Sequence, residues 1–170
     1  MNPVPGFSAK AYIISDWDTV RASWGSDDGY GYHSGSAPAA LDTELPLIND
    51  TVETNISSGQ ANVTTRGNNG WRAFMATLKD AEVRMRMIHD FTDDGYTIMM
   101  QAFSLRANVA MAILDGSKSD DGTAGIWADW QIISANKSEP MEEAQTTEFV
   151  LKPALSDVPP ELVYVGSSPG

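Results

Sequence analysis

The chain has 170 residues, no cysteine and a net charge of −12, from 11 basic and 23 acidic residues. This length allows one domain with a hydrophobic core and is short for two. The lack of cysteine excludes disulfides and thiolate metal sites, and the negative charge argues against tight nucleic-acid binding, which needs Lys and Arg to displace counterions.

The first residues show no export signal. They lack a basic stretch followed by an apolar one, and no run of the chain approaches the roughly 20 apolar residues that span a bilayer. We therefore expect a soluble chain that is not exported by the general secretion route. Residues 1–8 are expected to form a loose N-terminal arm, and a first strand is predicted over 10–15.

Residues 16–44 show no regular period and are rich in Gly, Ser, Asp and aromatic residues. A loop of this length is unusual in a compact domain and is normally functional or disordered. Because aromatic side chains are costly to leave in water, we expect this loop to order against its own domain or a neighbour. Its aromatic residues are Trp17, Trp24, Tyr30 and Tyr32.

Short runs of alternating apolar and polar residues predict a mainly β protein. The clearest strand covers 81–88, and another over 145–152 ends at Pro153, which cannot donate to a sheet ladder. Their apolar content indicates two packed antiparallel sheets, as a β-sandwich or small barrel. Further strands are predicted over 46–56, 107–114 and 125–133.

One flanking α-helix is predicted over 94–105. Thr92 and Asp93 can cap its free amides, and its methionines are expected to act as flexible core filler. Its apolar residues recur at i, i+3, i+4 and i+7, which are Tyr96, Met99, Met100 and Phe103.

The polar motifs indicate neither catalysis nor a metal site. The segment 115–122 lacks the glycine and the bidentate acid of a Ca²⁺ loop and predicts a hairpin turn. His33 and His89 lack zinc-ligand spacing, while Glu142 and Glu143 would point to opposite faces of an extended chain. We expect no enzymatic activity, no catalytic residue, no cofactor and no metal.

Two segments carry motifs in a recognisable order. Residues 62–83 read NVTTRGNNGWRAFMATLKDAEV, with Thr-Thr-Arg before a Gly-rich turn and Trp71, then Leu-Lys-Asp; residues 138–153 read SEPMEEAQTTEFVLKP, with Glu-Pro-x-Glu-Glu-Ala. Together they resemble the major tail tube proteins of tailed bacteriophages. The resemblance covers the chain from about residue 6 to residue 153, except for 16–44.

The resemblance implies a single-domain structural virion protein. Proteins of this family form six-membered rings that stack into a hollow tube, with sheets of neighbouring subunits joined edge to edge. The implied function is a conduit for DNA from capsid to host, located in the virion tail and assembled in the host cytoplasm. The implied partners are other copies of the chain, a tape measure protein and tail terminator or tip proteins; DNA passes without specific binding, and no membrane takes part.

Tail tubes of this kind use a long loop and terminal arms to connect rings. We expect the loop over 57–71 to do so, because it is polar, glycine-rich and holds Arg66, which a neighbour's carboxylate could bind. An ordinary hairpin turn in solvent is the alternative. Residues 1–8 and 154–170 are the expected arms. The predicted stacking residues are Val63, Thr64, Thr65, Arg66, Asn68, Asn69 and Trp71.

Acidic residues are expected to line the lumen, since a surface with the sign of the phosphates lets DNA slide. Strand alternation turns Glu53, Glu82 and Glu148 away from the core. Arg84 and Arg86 share the face of Glu82, so they either hold DNA or pair with acids of the next subunit.

Two other functions fit the sequence. The first is the inner tube of a contractile tail or injection device, whose outer surface also binds a sheath. The second is a soluble β-sandwich binding module, which predicts a stable monomer with 16–44 as its ligand surface.

Overall fold

The computed structural model describes residues 9–24, 32–35, 41 and 43–166. Strands dominate this part of the chain, so the predicted mainly β fold is confirmed. The helices are α1 (Trp17–Trp24) and α2 (Asp94–Leu105). The strands are β1 (Lys10–Ile13), β2 (Tyr32–Gly35), β3 (Thr43–Glu44), β4 (Ile48–Asn62), β5 (Phe74–Ile88), β6 (Asn108–Leu114), β7 (Ala124–Ser138), β8 (Thr146–Pro153) and β9 (Glu161–Val165).

All of these strands are hydrogen-bonded into one sheet. Its main path runs β3-β1-β6-β7-β8-β5-β4, and β9 joins β7 and carries β2. Strand β6 borders one edge of β7, whereas β9 and then β8 border the other edge. A bulge in β7 between Ile132 and Ser134 lies where pairing with β6 ends and β7 continues to pair with β8. The strands therefore divide into two groups, and one of them, the four-strand layer, consists of β4, β5, β8 and the C-terminal half of β7.

The main hydrophobic core joins both groups of strands and α2. Val83, Met85 and Met87 of β5 are buried there with Tyr96 and Met99 of the helix. The predicted bounds of α2 are confirmed, and Asp93 caps it by accepting a hydrogen bond from the Tyr96 N–H at 2.8 Å. No helix in the described residues is both long and apolar enough to cross a membrane.

A second core, on the other side of the sheet, corrects the prediction for 16–44. We expected a long loop outside the regular structure, but its described parts hold α1, β2 and β3. Trp24 is fully buried against Trp127, with ring centroids 5.8 Å apart, and its Nε1 donates to the Gly35 carbonyl at 3.1 Å. This tryptophan therefore packs within its own domain.

Helix α1 was not predicted from the sequence. Its eight residues make little more than two turns, which is too few for a clear helical period of apolar residues. Its N-terminal signal is Asp16, whose carboxylate accepts hydrogen bonds from the Asp18 N–H and the Thr19 hydroxyl. These bonds lower the pKa of Asp16. Of Trp17 and Tyr32 only the backbone is described, and Tyr30 lies outside the described residues.

The C-terminal segment also differs from its prediction. We expected 154–170 to form an arm outside the core, yet β9 pairs with β7, and Val163 and Val165 are buried in the second core. The run of β-branched and aromatic residues after Pro160 is the strand signal that was missed. Residues 1–8 and 167–170 lie outside the described residues.

Trp24 and Trp71 form a matched pair for testing this packing, because Trp24 is fully buried and Trp71 is 79% exposed. Trp24→Ala should lower the free energy of unfolding of the monomer by about 3–5 kcal/mol, as is typical for a truncated core aromatic. Trp71→Ala should change it by about 0.5 kcal/mol or less. Urea unfolding measures both, and equal effects would contradict the placement of α1 against the core.

Candidate assembly surfaces

The β4–β5 hairpin extends beyond the body of the protein. Its two strands pair out to Asn62 and Phe74, whereas β8 pairs with β5 only from Val83 onwards. Residues 57–80, named the arm below, therefore form a two-stranded ribbon whose residues are nearly all exposed. At about 3.3 Å per residue, its paired part is roughly 20 Å long.

The arm exposes large apolar side chains. Leu78 is 88% and Trp71 79% exposed, and Val63, Phe74 and Met75 are also exposed. A two-stranded ribbon is marginally stable in water on its own, and an exposed apolar patch normally marks an interaction surface. The arm is therefore a candidate interface.

The tip of the arm is an ordered turn. It contains a single 3₁₀ turn, Arg66–Asn68, followed by Asn69 in the left-handed region with φ 49°. The Ala73 N–H donates to the Thr64 hydroxyl at 3.0 Å and closes the turn. All the predicted stacking residues lie here: Val63, Thr64, Thr65, Arg66, Asn68, Asn69 and Trp71.

The charge of the arm is opposite to that of the remaining chain. Residues 57–80 hold three basic residues and one acidic residue, which gives +2, while the remainder holds eight basic and 22 acidic residues, which gives −14. Arg66 and Arg72 form no ion pair with any described residue. A positive arm on an acidic chain is complementary to the surface of another copy.

The acids predicted to face the lumen lie on one face of the four-strand layer. Glu53, Glu82 and Glu148 occupy the face opposite the core on β4, β5 and β8. Arg84 and Arg86 lie among them and pair within the chain: Arg84 Nε lies 2.8 Å from Glu82 Oε1, and Arg86 Nη2 lies 3.6 Å from Glu148 Oε2. The face is a ladder of opposite charges.

The four-strand layer ends in two unpaired edges. Strand β4 is the last of the sheet path, so its outer edge pairs with no described strand. On β7, pairing with β6 stops at Gln131, so residues 132–138 bond to β8 along one edge only. Both edges present N–H and C=O groups that can pair with a further strand.

A polar cluster at β2 and β9 was missed by the sequence analysis. His33 Nε2 lies 3.4 Å from Glu161 Oε2, to which the Trp127 Nε1 also donates at 2.9 Å. These residues come from three strands far apart in the chain, so no spacing signals the cluster. No group of three possible metal ligands occurs in the part of the chain that the structure describes.

Solved structures share this fold. The chain matches a chain in the tail of an empty gene transfer agent particle, determined with C6 symmetry, with a TM-score of 0.59 and 12% identity over 95% of this chain and 98% of that one. A chain in the virion of a native gene transfer agent particle matches with a TM-score of 0.56 and 12% identity, over 73% of this chain and 88% of that one. The SPP1 tail tube matches with a TM-score of 0.57 and 15% identity, over 94% of this chain and 78% of that one.

These similarities concern the fold, since the identities are only 12% and 15%. The resemblance of the sequence to tail tube proteins is thereby confirmed as a likeness of fold. No protein-family model matches the chain, and no curated protein does either.

Removal of the hydrogen bond between Arg84 and Glu82 should change the pKa of the Glu82 carboxyl measurably. This hydrogen bond lowers the pKa of Glu82, so the stability it contributes is present above the ordinary carboxylate range and is lost as the pH falls through the folded pKa. Arg84→Ala should raise the Glu82 pKa, as followed by NMR of the carboxyl carbon. Lys152→Ala is the control with a smaller expected effect, because Lys152 Nζ lies 3.7 Å away. A larger shift in the control would refute the assignment.

Proposed function

We propose that this chain is the major tail tube subunit of a long-tailed phage or phage-like particle. Six copies form a ring, and rings stack into a tube that conducts DNA from capsid to host. The observation that carries the proposal is the four-strand layer with two free edges, and the likeness of fold to the gene transfer agent tail and the SPP1 tail tube supports it. The role is structural and not enzymatic.

Ring closure follows from the two edges. The outer edge of β4 in one copy pairs with residues 132–138 of β7 in the next copy. This contact joins two different surfaces head to tail, so repeating it gives a ring when the rotation closes. A closed barrel leaves no exposed strand edge. The number six rests on the C6 symmetry of the gene transfer agent tail.

The charged face of the layer lines the lumen in this proposal. It carries Glu53, Glu82 and Glu148, and its two arginines are held by carboxylates of the same chain. Paired arginines offer little net positive charge to phosphates, so DNA passes without specific binding. The lumen encloses a tape measure protein before ejection, and terminator or tip proteins close the tube ends. The tube belongs to the virion tail and assembles in the host cytoplasm.

The arm connects one ring with the next. It is long and exposed, it bears several large apolar side chains, and its tip carries Arg66 and Trp71. Residues 1–8 are proposed as a second connection between rings. A binding module with the segment 16–44 as its ligand surface is less well supported, because Trp24 is buried in its own domain.

Electron microscopy tests the proposal. Purified protein, concentrated and incubated with a tail initiator complex as seed, should form stacked rings with six-fold symmetry around an open channel, because ring closure pairs both free edges. Monomers that persist in the presence of the seed would contradict the proposed function.

A shortened hairpin tests the role of the arm. Residues 59–78 are replaced with Asn-Gly, a two-residue turn suited to the pair Ser58 and Lys79. The variant should fold and form single rings without long tubes, since both ring edges remain. Circular dichroism checks the fold, and micrographs count rings and tubes. Tubes of normal length would show that the arm does not connect rings.

A further inference from the structure

Two neighbouring loops form the end of the four-strand layer opposite the arm. Strand β5 leads into α2 through residues 89–93, with Asp94 as the first residue of the helix, and β7 leads into β8 through residues 139–145. The loops are joined because the His89 N–H donates to the Gln145 carbonyl at 2.9 Å. Along β5, the arm comes before Val83, where pairing with β8 begins, and the loops come after Ile88, where the strand ends. The arm and the loops therefore lie at opposite ends of the layer. Residues 89–94 and 139–145 are together named the acidic end.

The acidic end carries six carboxylates and neither Lys nor Arg. Asp90 and Asp93 accept hydrogen bonds from neutral groups of the chain, and Glu139 forms an ion pair with Lys137. The other three form no ion pair with any described residue: Asp94, Glu142 and Glu143. Negative charge at this end is therefore largely uncompensated.

Two apolar side chains are exposed among these acids. Met141 is fully exposed, and Phe91 is 59% exposed. The ring of Phe91 packs edge-on against His89 and Tyr96, with centroids 5.2 Å away in each case, so it is held in place while part of it faces solvent. A fixed aromatic and a flexible methionine are suitable contacts for an apolar partner.

The arm and the acidic end are complementary in chemistry. The arm combines exposed apolar side chains with a charge of +2, and the acidic end combines exposed apolar side chains with a charge of −6. They are also complementary in position, because in a head-to-tail stack the structure that projects from one end of a subunit meets the opposite end of a subunit in the next ring.

On the basis of the proposed tube, we infer that the arm of one copy docks on the acidic end of a copy in the adjacent ring. Trp71 packs against Met141, which covers apolar surface that both ends expose. The arginines at the tip of the arm bind the carboxylates of Glu142 and Glu143. A second copy of this chain is therefore the partner of the acidic end.

Disulfide cross-linking tests the contact, because the chain contains no natural cysteine. A Cβ at Gly67 in the tip meets only the Thr65 hydroxyl at 3.6 Å, an ordinary contact. Gly67→Cys is therefore combined with Met141→Cys in one chain and with Ala144→Cys in another. After oxidation of assembled tubes, a non-reducing gel should show a ladder of linked subunits that unassembled protein lacks.

The matched control combines Gly67→Cys with Leu155→Cys. Leu155 is fully exposed but follows β8 at the end of the layer from which the arm projects. Subunits from oxidised tubes of this variant should therefore run as monomers on the non-reducing gel. Tubes without a ladder for either acidic-end pair would overturn the docking while leaving the tube intact. A failure of the wild-type chain to form tubes would instead count against the proposed function.

Charge reversal gives an independent test. Arg66→Glu with Arg72→Glu should abolish tubes and leave rings, and adding Glu142→Arg with Glu143→Arg to the same chain should restore tubes by pairing opposite charges again. Arg106→Glu reverses an exposed cation outside both surfaces and should leave tubes unchanged. Tubes in the first variant, or no restoration in the second, would overturn the inference. Melting curves of the unassembled variants check their folding.

Discussion

Unpaired backbone groups at the two edges of the four-strand layer are the constraint from which the remaining architecture follows. An edge strand of fifteen residues, β4, is a hazard in a free monomer, because any other strand can pair with it. In the proposed ring the edge pairs with residues 132–138 of another copy, which would remove the hazard. The buried face of β5 and β8 packs with α2 in the main core and holds the layer in one shape.

The rest of the molecule supports and extends that layer. The second core, with Trp24 and Trp127, fixes the other group of strands. On the opposite face of the layer, ion pairs such as Arg84 with Glu82 are exposed and contribute little stability; their consequence is that the basic groups are occupied within the chain. The arm adds a third feature, because it carries apolar and positive groups away from an acidic body.

Local signals in the sequence were enough for several elements. Capping by Asp93 and a clear helical period gave the bounds of α2, and alternation turned Glu53, Glu82 and Glu148 to one face. Features that depend on pairing between distant segments were missed. Strand β5 begins at Phe74, whereas the predicted strand began at residue 81. The first part of the strand was missed because an exposed ribbon shows no alternation of apolar and polar residues. The pairing of Arg86 with Glu148 likewise depends on strand register, which the sequence does not reveal.

Hydrogen exchange of the free and assembled chain tests the central claim, the pairing of the two edges, most directly. In an edge strand about half of the N–H groups point away from the sheet and exchange readily. Assembly should slow the exchange of such amides along β4 and in residues 132–138, while the amides of Val83 to Met87 in the centre of the layer change little. Tubes in which both edges exchange as fast as in the monomer would contradict the account.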